Sequence, residues 1–385
     1  MTYKNIASIL NTQIIQNMLG QSVTVAEDLN NIVEFGTAVS ALTADQMKDF
    51  AKKLIVGVHN YVLVREYEGK EFGFLRTATE YAGAIQRLMA SGLYTAQDSH
   101  ILNLVNGTSY LDGKYYGAPI DSKVYEQTKA FKVVHSIAED DFKAKFMDAN
   151  EVSAFISLIA TTERNTVRIE LAQLEKRILT ALAYQTYKDA RKVNLVTKFN
   201  ADLLGKASGA DGYKTYADIN ADRHLKAYFD DFCKQCIERV RDGMTDPNEK
   251  YNDGSVITFT PSSMVRTVLI SEFATAVKYL SDPVDINAPS MGEYKAITAW
   301  QNNGSEMLPG LSTTASITVV NGDSSDTVTN IVGMVYDSEC GGIDVRLDKV
   351  TVEPVGSEGF INYHHHLANN FYTDSRLGAV VFTLD

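Results

Sequence analysis

The sequence predicts an α+β fold, and three of its features support this class. The longest helical pattern in the chain extends from Asp148 to Lys188. Further along, a strand-like run reaches Pro261, and a second helical pattern follows it. From about Ser316 onward the chain consists of short strand-like runs separated by Gly, Asp and Pro residues. Separate groups of helices and strands are typical of α+β proteins.

The segment Asp148–Lys188 is predicted to form one long helix. Its apolar residues recur every three or four positions, with one position skipped, as they do on one face of a helix. No Gly or Pro occurs from 120 to 204, and roughly 40 residues at 1.5 Å each extend about 60 Å. The alternative is two helices with a bend near Thr161–Thr162, where weak helix formers cluster. The apolar stripe consists of Phe155, Ile159, Val167, Leu171, Leu174, Ile178 and Leu182.

The first third of the chain contains shorter patterns and then a change of character. Amphipathic spacing predicts helices at Tyr3–Met18 and Thr43–Val56, with an extended arm at 21–41 between them. The segment 61–137 is rich in Tyr, Phe and turn residues and has little periodicity. Such a long segment usually carries a function or links two parts of the chain, and Tyr is favoured at interfaces between proteins. We predict a long excursion that ends in the strand-like run Val124–Ile137; the alternative is an ordinary loop-rich subdomain.

After the long helix, the sequence predicts a helix at Asp222–Arg241 and then a strand-to-helix step. Val256–Phe259 is the predicted strand, and Met264–Leu280 is the predicted helix. Thr260 and Pro261 suit the N-cap and the first position of that helix. The step lacks the Gly-rich loop and Lys of a phosphate site. The later predicted strands are Ser316–Val320, Ile331–Tyr336, Ile343–Val352, Gly359–Leu367 and Leu377–Leu384.

Composition excludes several classes of protein. The net charge of −12 argues against a general nucleic-acid binder, which carries a basic stripe. No run approaches 18 apolar residues and no secretory signal is present, so we expect a protein that stays in the cytoplasm where it is made. Three cysteines are too few for a disulfide framework. Cys233 and Cys236 form an isolated C-x-x-C within a helical pattern, which predicts plain core or surface thiols.

No local motif predicts catalysis. His364, His365 and His366 form the only histidine cluster, and in a strand the first and third share one face. These two could bind a metal if Asp374 lay nearby, but half-buried strand positions are the more usual role. The polar turn 242–253 lacks the ligand spacing of a calcium loop. We therefore predict no catalytic residue, no cofactor and no metal.

The order of these parts resembles the major capsid proteins of tailed bacteriophages, which have the Hong Kong 97-type fold. The segment Ile257–Ser262 is similar to the strand that enters a helix in that family. Asn362–His366 and Asp374–Phe382 are similar to the closing strands of short-tailed phage capsid proteins. The resemblance implies five parts: an N-terminal arm and helices (1–60), an extended loop (61–137), a peripheral domain with the spine helix (138–221), an axial domain (222–330) and closing strands that return to the peripheral domain (331–385).

The resemblance also implies function. It implies a major capsid (head) protein of the virion, assembled in the host cytoplasm, with no enzymatic activity. Its main partner is itself, in hexamers and pentamers of an icosahedral shell. A scaffolding protein, a portal and packaged double-stranded DNA without sequence-specific contact are further implied partners, and a membrane is not.

The extended loop would overlap a neighbouring subunit, which makes its aromatic residues candidates for contact between subunits. Three alternatives stay open: an encapsulin-like nanocompartment shell, another phage structural protein or adhesin, and a hydrolase with a His-rich metal site. The intersubunit candidates are Tyr67, Phe72, Phe74, Arg76, Tyr81, Tyr110, Tyr115 and Tyr116.

Overall fold

The structure is a computed structural model, and it describes most of the chain from residue 149 onward with shorter parts before it. The predicted helices Tyr3–Met18 and Thr43–Val56 lie mostly outside the described residues. The described residues are 7–8, 10–11, 24–27, 32–41, 46, 72–78, 83–90, 99, 101–108, 117, 120–138, 149–254, 257–279, 293–301, 315–321, 324–355 and 359–384.

Helices and strands are mixed along this part of the chain. The helices are α1 (Ile32–Ser40), α2 (Ala149–Lys188), α3 (Leu195–Leu203), α4 (Tyr216–Ala221), α5 (Arg223–Thr245) and α6 (Ser271–Tyr279). The strands are β1 (Leu75–Ala78), β2 (Ile85–Ala90), β3 (Ile120–Tyr125), β4 (Thr128–Ala138), β5 (Lys192–Asn194), β6 (Val265–Ile270), β7 (Lys295–Ile297), β8 (Ile317–Asn321), β9 (Ser324–Val328), β10 (Ile331–Asp337), β11 (Gly341–Val355), β12 (Phe360–Thr373) and β13 (Ala379–Thr383).

The prediction of one long helix is confirmed, since α2 is a single helix of 40 residues. The alternative of two helices is wrong. Thr166, one of the weak helix formers, donates from its hydroxyl to the carbonyl oxygen of Thr162 at 2.9 Å. This bond runs back along the helix and satisfies the hydroxyl without ending the helix. Among the helices that the structure describes, none is long and apolar enough to cross a membrane.

The strands form two larger sheets and two hairpins. The first sheet has the order β1-β11-β12-β4, and the second has the order β5-β13-β10-β6-β7. Neighbouring strands are antiparallel except at the edges, where β1, β5 and β7 run parallel to their partners. The hairpins are β2–β3 and β8–β9. The strands predicted for the final part of the chain are confirmed, and β12 continues beyond its predicted end at Leu367.

The second half of α2 joins the two sheets. Leu174, Ile178 and Leu182 are at most 3% exposed and belong to one core with residues of both sheets. Burial of each such side chain contributes about 1.5–3 kcal/mol. The sheet residues of this core include Ile270, Met334, Tyr336, Ile343 and Val381. The second half of the predicted stripe is therefore buried, whereas Val167 and Leu171 are half-buried.

The helix predicted at Met264–Leu280 is wrong in its first half. Val265–Ile270 is the strand β6, buried along almost its whole length, and only Ser271–Tyr279 is helical. A strand buried on both faces has no alternation of apolar and polar residues, so its apolar run cannot be told from a buried helix by periodicity. The β-branched residues of this run favour the strand.

The predicted strand Val256–Phe259 is also not formed as expected. Of its described residues, Thr258 makes an isolated bridge to Asn248, and Ile257 and Phe259 are outside any strand. Thr260 does not cap a helix, because its hydroxyl donates to the carboxylate of Asp337 at 2.8 Å. A tertiary hydrogen bond thus replaces the predicted local one.

The extended arm predicted at 21–41 contains the helix α1 in its last part. Phe35 and Val39 are buried at a spacing of one helical turn. Gly36 and the β-branched residues of this segment lower its helix propensity, so propensity alone favours an arm. Burial of one helical face overrides that preference.

Gly333 in β10 provides a test of the packing between β10 and β6. A Cβ at this position meets Leu269 Cδ2 and lies 2.8 Å from the carbonyl oxygen of Val268. We expect Gly333→Ala to lower the free energy of unfolding by about 1–3 kcal/mol, because the neighbouring backbone cannot withdraw. Gly83→Ala is the control, since a Cβ there meets nothing within 4 Å. Equal urea midpoints for both variants would contradict this packing.

A second core lies between α5 and the second sheet, and α5 carries the buried carboxylate of Asp230. This side chain is 3% exposed, and its Oδ2 has no hydrogen-bond partner among the described residues. Burial raises the pKa of Asp230 to about 6, although Lys226 and Lys234 lower it. The folded protein therefore holds this proton more tightly than the unfolded chain, which means that ionisation above pH 6 costs stability.

We expect Asp230→Asn to stabilise the protein above pH 6 and to have little effect below pH 4. A pKa raised from 3.8 to about 6 corresponds to about 3 kcal/mol at most. The measurement is the urea midpoint of both proteins between pH 4 and pH 8. If the difference between the two urea midpoints did not change with pH, ionisation of Asp230 would cost the folded state no stability.

Candidate assembly surface

The hairpin β2–β3 has two different faces. In β2, Arg87 and Met89 are half-buried, and Met89 packs against the core that α2 joins. The opposite face exposes aliphatic side chains from both strands: Leu88 is 69% exposed, Ile120 66% and Val124 54%. We call these three residues the outer hairpin face. Between the strands, the segment 101–108 exposes further aliphatic side chains: Ile101, Leu102, Leu104 and Val105.

Buried charges fix the base of this hairpin. Arg376 binds both carboxylate oxygens of Asp374, at 3.0 and 2.8 Å, and reaches Asp121 of β3 at 2.7 Å. The side chains of Arg376 and Asp374 are 4% and 0% exposed. Arg87 of β2 lies 3.5 Å from Asp374 and donates to the carbonyl oxygen of Glu339 at 2.6 Å. We call these five residues the hairpin anchor.

The pKa values agree with this geometry. Burial raises the pKa of Asp374, but the hydrogen bonds and charge of Arg376 outweigh burial, and the pKa lies below its usual value. The bonds to Asp374 raise the pKa of Arg376. Burial and the Asp374 charge raise the pKa of Tyr125 at the end of β3. The arginines therefore keep Asp374 ionised inside the protein.

Three predicted intersubunit residues instead contact their own chain. Phe72 and Phe74 are 1% and 6% exposed in the core that α2 joins. Arg76 binds the buried carboxylate of Glu175 on α2 at 2.6 Å. Phe72 and Phe74 are thus buried within the chain and the Arg76 side chain stays 33% exposed, while contact of these three residues with a neighbouring subunit stays a prediction. Outside the described residues lie Tyr67, Tyr81, Tyr110, Tyr115 and Tyr116.

The outer hairpin face was missed by the sequence reasoning. Leu88, Ile120 and Val124 are ordinary strand residues, and burial against the body would be their usual fate. The signal that could have found them is that apolar residues occur on both faces of β2. A hairpin packs only one face on the body, so the apolar residues of its other face stay exposed.

The histidine cluster is structural in the described part of the chain. His365 is 3% exposed, with Nε2 2.7 Å from Asp348 of β11 and Nδ1 2.9 Å from Glu163 of α2. His364 and His366 lie on the opposite face of β12, as predicted. Asp374 is not available as their metal ligand, because Arg376 binds it. Among the described residues, no group of His, Cys, Asp and Glu is placed to hold a metal.

The cysteines are buried thiols, as predicted for Cys233 and Cys236. Burial raises the pKa of Cys236 to about 11 and that of Cys233 well above its usual value. A thiol is a nucleophile only as the thiolate, so these groups are unreactive at neutral pH.

Comparison with known proteins identifies the fold. No family model matches the sequence, and no curated protein matches it. The capsid structure of Staphylococcus phage Andhra matches with a TM-score of 0.53 at 10% identity, over 84% of this chain and 86% of that one. The chain has a phage capsid fold. The predicted fold class is confirmed.

Other solved structures match with lower TM-scores. The capsid of cyanophage P-SCSP1u gives 0.41 at 12% identity, over 81% of this chain and 86% of that chain. The capsid of an empty GTA particle gives 0.41 at 11% identity, over 83% and 90%. The identification of the capsid fold rests on the Andhra structure alone.

The hairpin anchor of this capsid fold can be tested with one substitution. We expect Asp374→Asn to lower the free energy of unfolding by about 3–5 kcal/mol, because it removes the buried carboxylate that Arg376 and Arg87 share and leaves Arg376 with only the exposed Asp121. Asp326→Asn is the control: it removes a carboxylate from an exposed pair with Lys188, and such pairs contribute little. Similar urea midpoints for both variants would contradict the role of buried charge in the anchor.

Proposed function

We propose that this chain is the major capsid protein of a tailed bacteriophage. It assembles into hexamers and pentamers of an icosahedral shell that encloses packaged double-stranded DNA. The observation that carries the proposal is the outer hairpin face, three exposed aliphatic side chains on an anchored hairpin, in a chain with a phage capsid fold. Assembly takes place in the host cytoplasm with a scaffolding protein and a portal, and the mature location is the virion.

An exposed apolar face on an anchored hairpin needs a partner. Contiguous aliphatic side chains on a soluble protein usually mark an interface. In a shell, each subunit repeats the same contact many times, so modest individual interfaces add up to a stable lattice. The net charge of −12 suits a wall that must not trap DNA, since like charges repel phosphates.

We retain the five-part division as part of the proposal. The excursion 61–137 leads to the neighbouring subunit, and the outer hairpin face is its first contact surface. Its other candidate contacts are the tyrosines beyond the described residues: Tyr67, Tyr81, Tyr110, Tyr115 and Tyr116. The remaining parts are the arm (1–60), the peripheral domain (138–221), the axial domain (222–330) and the closing strands (331–385).

The proposed role is structural and involves no reaction, cofactor or membrane. The support is that the solved structure on which the fold identification rests is a phage capsid. An encapsulin-like shell is the alternative that shares this assembly chemistry. It differs in its content, because a nanocompartment encloses cargo protein and a phage head encloses DNA.

The deciding experiment is electron microscopy of the purified chain, alone and co-expressed with its neighbouring genes. Closed shells that protect DNA from nuclease support a phage capsid protein. Closed shells with protein cargo and no DNA favour the encapsulin-like alternative. Small oligomers under every condition would overturn the proposal.

The outer hairpin face gives a specific prediction for assembly. We expect Leu88→Glu to abolish shell formation, because an interface cannot bury an unpaired carboxylate. The free energy of unfolding should stay within about 0.5 kcal/mol of the original. Leu203→Glu is the matched control, since Leu203 is 56% exposed on α3. Sedimentation velocity and microscopy measure assembly. Normal shells from Leu88→Glu would remove the hairpin face from the interface.

A further inference from the structure

A cleft of about 550 Å³ opens between β5, α3, the second half of α5 and the loop after α5. Cys236 and Val240 of α5 are buried and form its floor. The part of the chain that the structure describes contributes one carboxylate to the lining, Asp202 of α3. The basic side chains around the cleft are Lys192, Lys198, Arg239 and Lys250.

This concentration of positive charge runs against the composition of the chain. The sequence contains 48 acidic and 36 basic residues, yet basic side chains outnumber the carboxylate by four to one in this cleft. Lys198 pairs with Asp202 at 3.4 Å. Three positive charges therefore remain without a neutralising partner in the lining, and all four basic residues are exposed to a ligand.

Contacts within the chain hold these charges in place. Lys192 Nζ lies 4.1 Å from the centre of the Tyr187 ring, and Lys250 Nζ lies 5.5 Å from that of Tyr251. An aromatic face attracts an ammonium group without cancelling its charge. Lys198 and Arg239 lower the pKa of the Cys236 thiol against the effect of burial, which agrees with their charges facing the floor of the cleft.

We propose that this cleft binds an acidic peptide segment of another protein chain. Its volume is typical of a site that encloses a ligand. Val193, Ala201 and Tyr251 in its walls can pack against the aliphatic parts of Glu side chains, while the rim binds their carboxylates. A DNA duplex is wider than its own major groove of about 12 Å and does not fit into a cleft of about 550 Å³. A free phosphate leaves most of the cleft unfilled.

The inference goes beyond the proposed function and does not depend on it, because binding is measured on the chain itself whether or not shells form. The probe is a fluorescein-labelled oligoglutamate peptide, followed by fluorescence anisotropy with the full chain. We expect saturable binding that weakens as salt rises from 50 to 500 mM. The double variant Lys198→Gln/Arg239→Gln should weaken it by about tenfold or more.

Two further variants separate a direct effect from a folding defect. Lys206→Gln/Lys214→Gln removes the same charge from exposed residues outside the cleft and should leave affinity unchanged. Asp202→Asn removes the carboxylate that competes with the ligand and should increase affinity, which a folding defect cannot mimic.

Three results would overturn the proposal. The first is no saturable binding of the peptide at low salt. The second is an equal loss of affinity in the cleft and control double variants. The third is displacement of the peptide by duplex DNA or inorganic phosphate at lower concentrations than by unlabelled oligoglutamate, which would assign the cleft to phosphates.

Discussion

The packing of α2 against two sheets at once is the constraint on which the rest of the structure depends. Ile178 and Leu182 are buried together with Met334 and Tyr336 of the second sheet and Ile343 of the first. Tight interiors transmit displacement, so neither sheet can move along the helix without opening a cavity. Polar contacts support the same joint: α2 carries Glu175, bound by Arg76, and Glu163, beside His365. The hairpin packs on this joint through Met89, whereas the floor of the cleft belongs to the second core through Cys236 and Val240.

Burial patterns explain which elements could be predicted. The apolar stripe on α2 recurs at helical spacing, which is why its periodicity predicts the helix. The burial of Glu163 and Glu175 on the same helix has no such apolar pattern. The predictions for the strand β6 and the helix α1 were wrong for opposite reasons. Residues 265–270 are almost uniformly buried and show no alternation, whereas α1 has poor intrinsic propensity and forms because Phe35 and Val39 pack into a core.

The assembly surface shows a different limit. A segment rich in Tyr and Phe indicates a large contact area but does not say which chain supplies the other side. Phe72 and Phe74 fill this chain's own core, while plain aliphatic residues such as Leu88 and Val124 are exposed. The distinction arises from how the hairpin lies on the body. That arrangement depends on Asp374, Arg376 and Arg87. Arg87 lies more than 250 residues before the other two in the sequence, so no local pattern reveals that they meet.

Buried charge and surface charge have complementary roles in this chain. A two-stranded hairpin is at best marginally stable alone, and apolar packing under its base would hold it without fixing its direction. Paired charges are costly to desolvate but tolerate few geometries, so the hairpin anchor exchanges some stability for one defined orientation. At the surface, the net negative charge makes copies of the chain repel one another at long range. In the cleft lined by Lys192, Lys198, Arg239 and Lys250 the local charge has the opposite sign, so an acidic group meets attraction there and repulsion from the net charge of the chain.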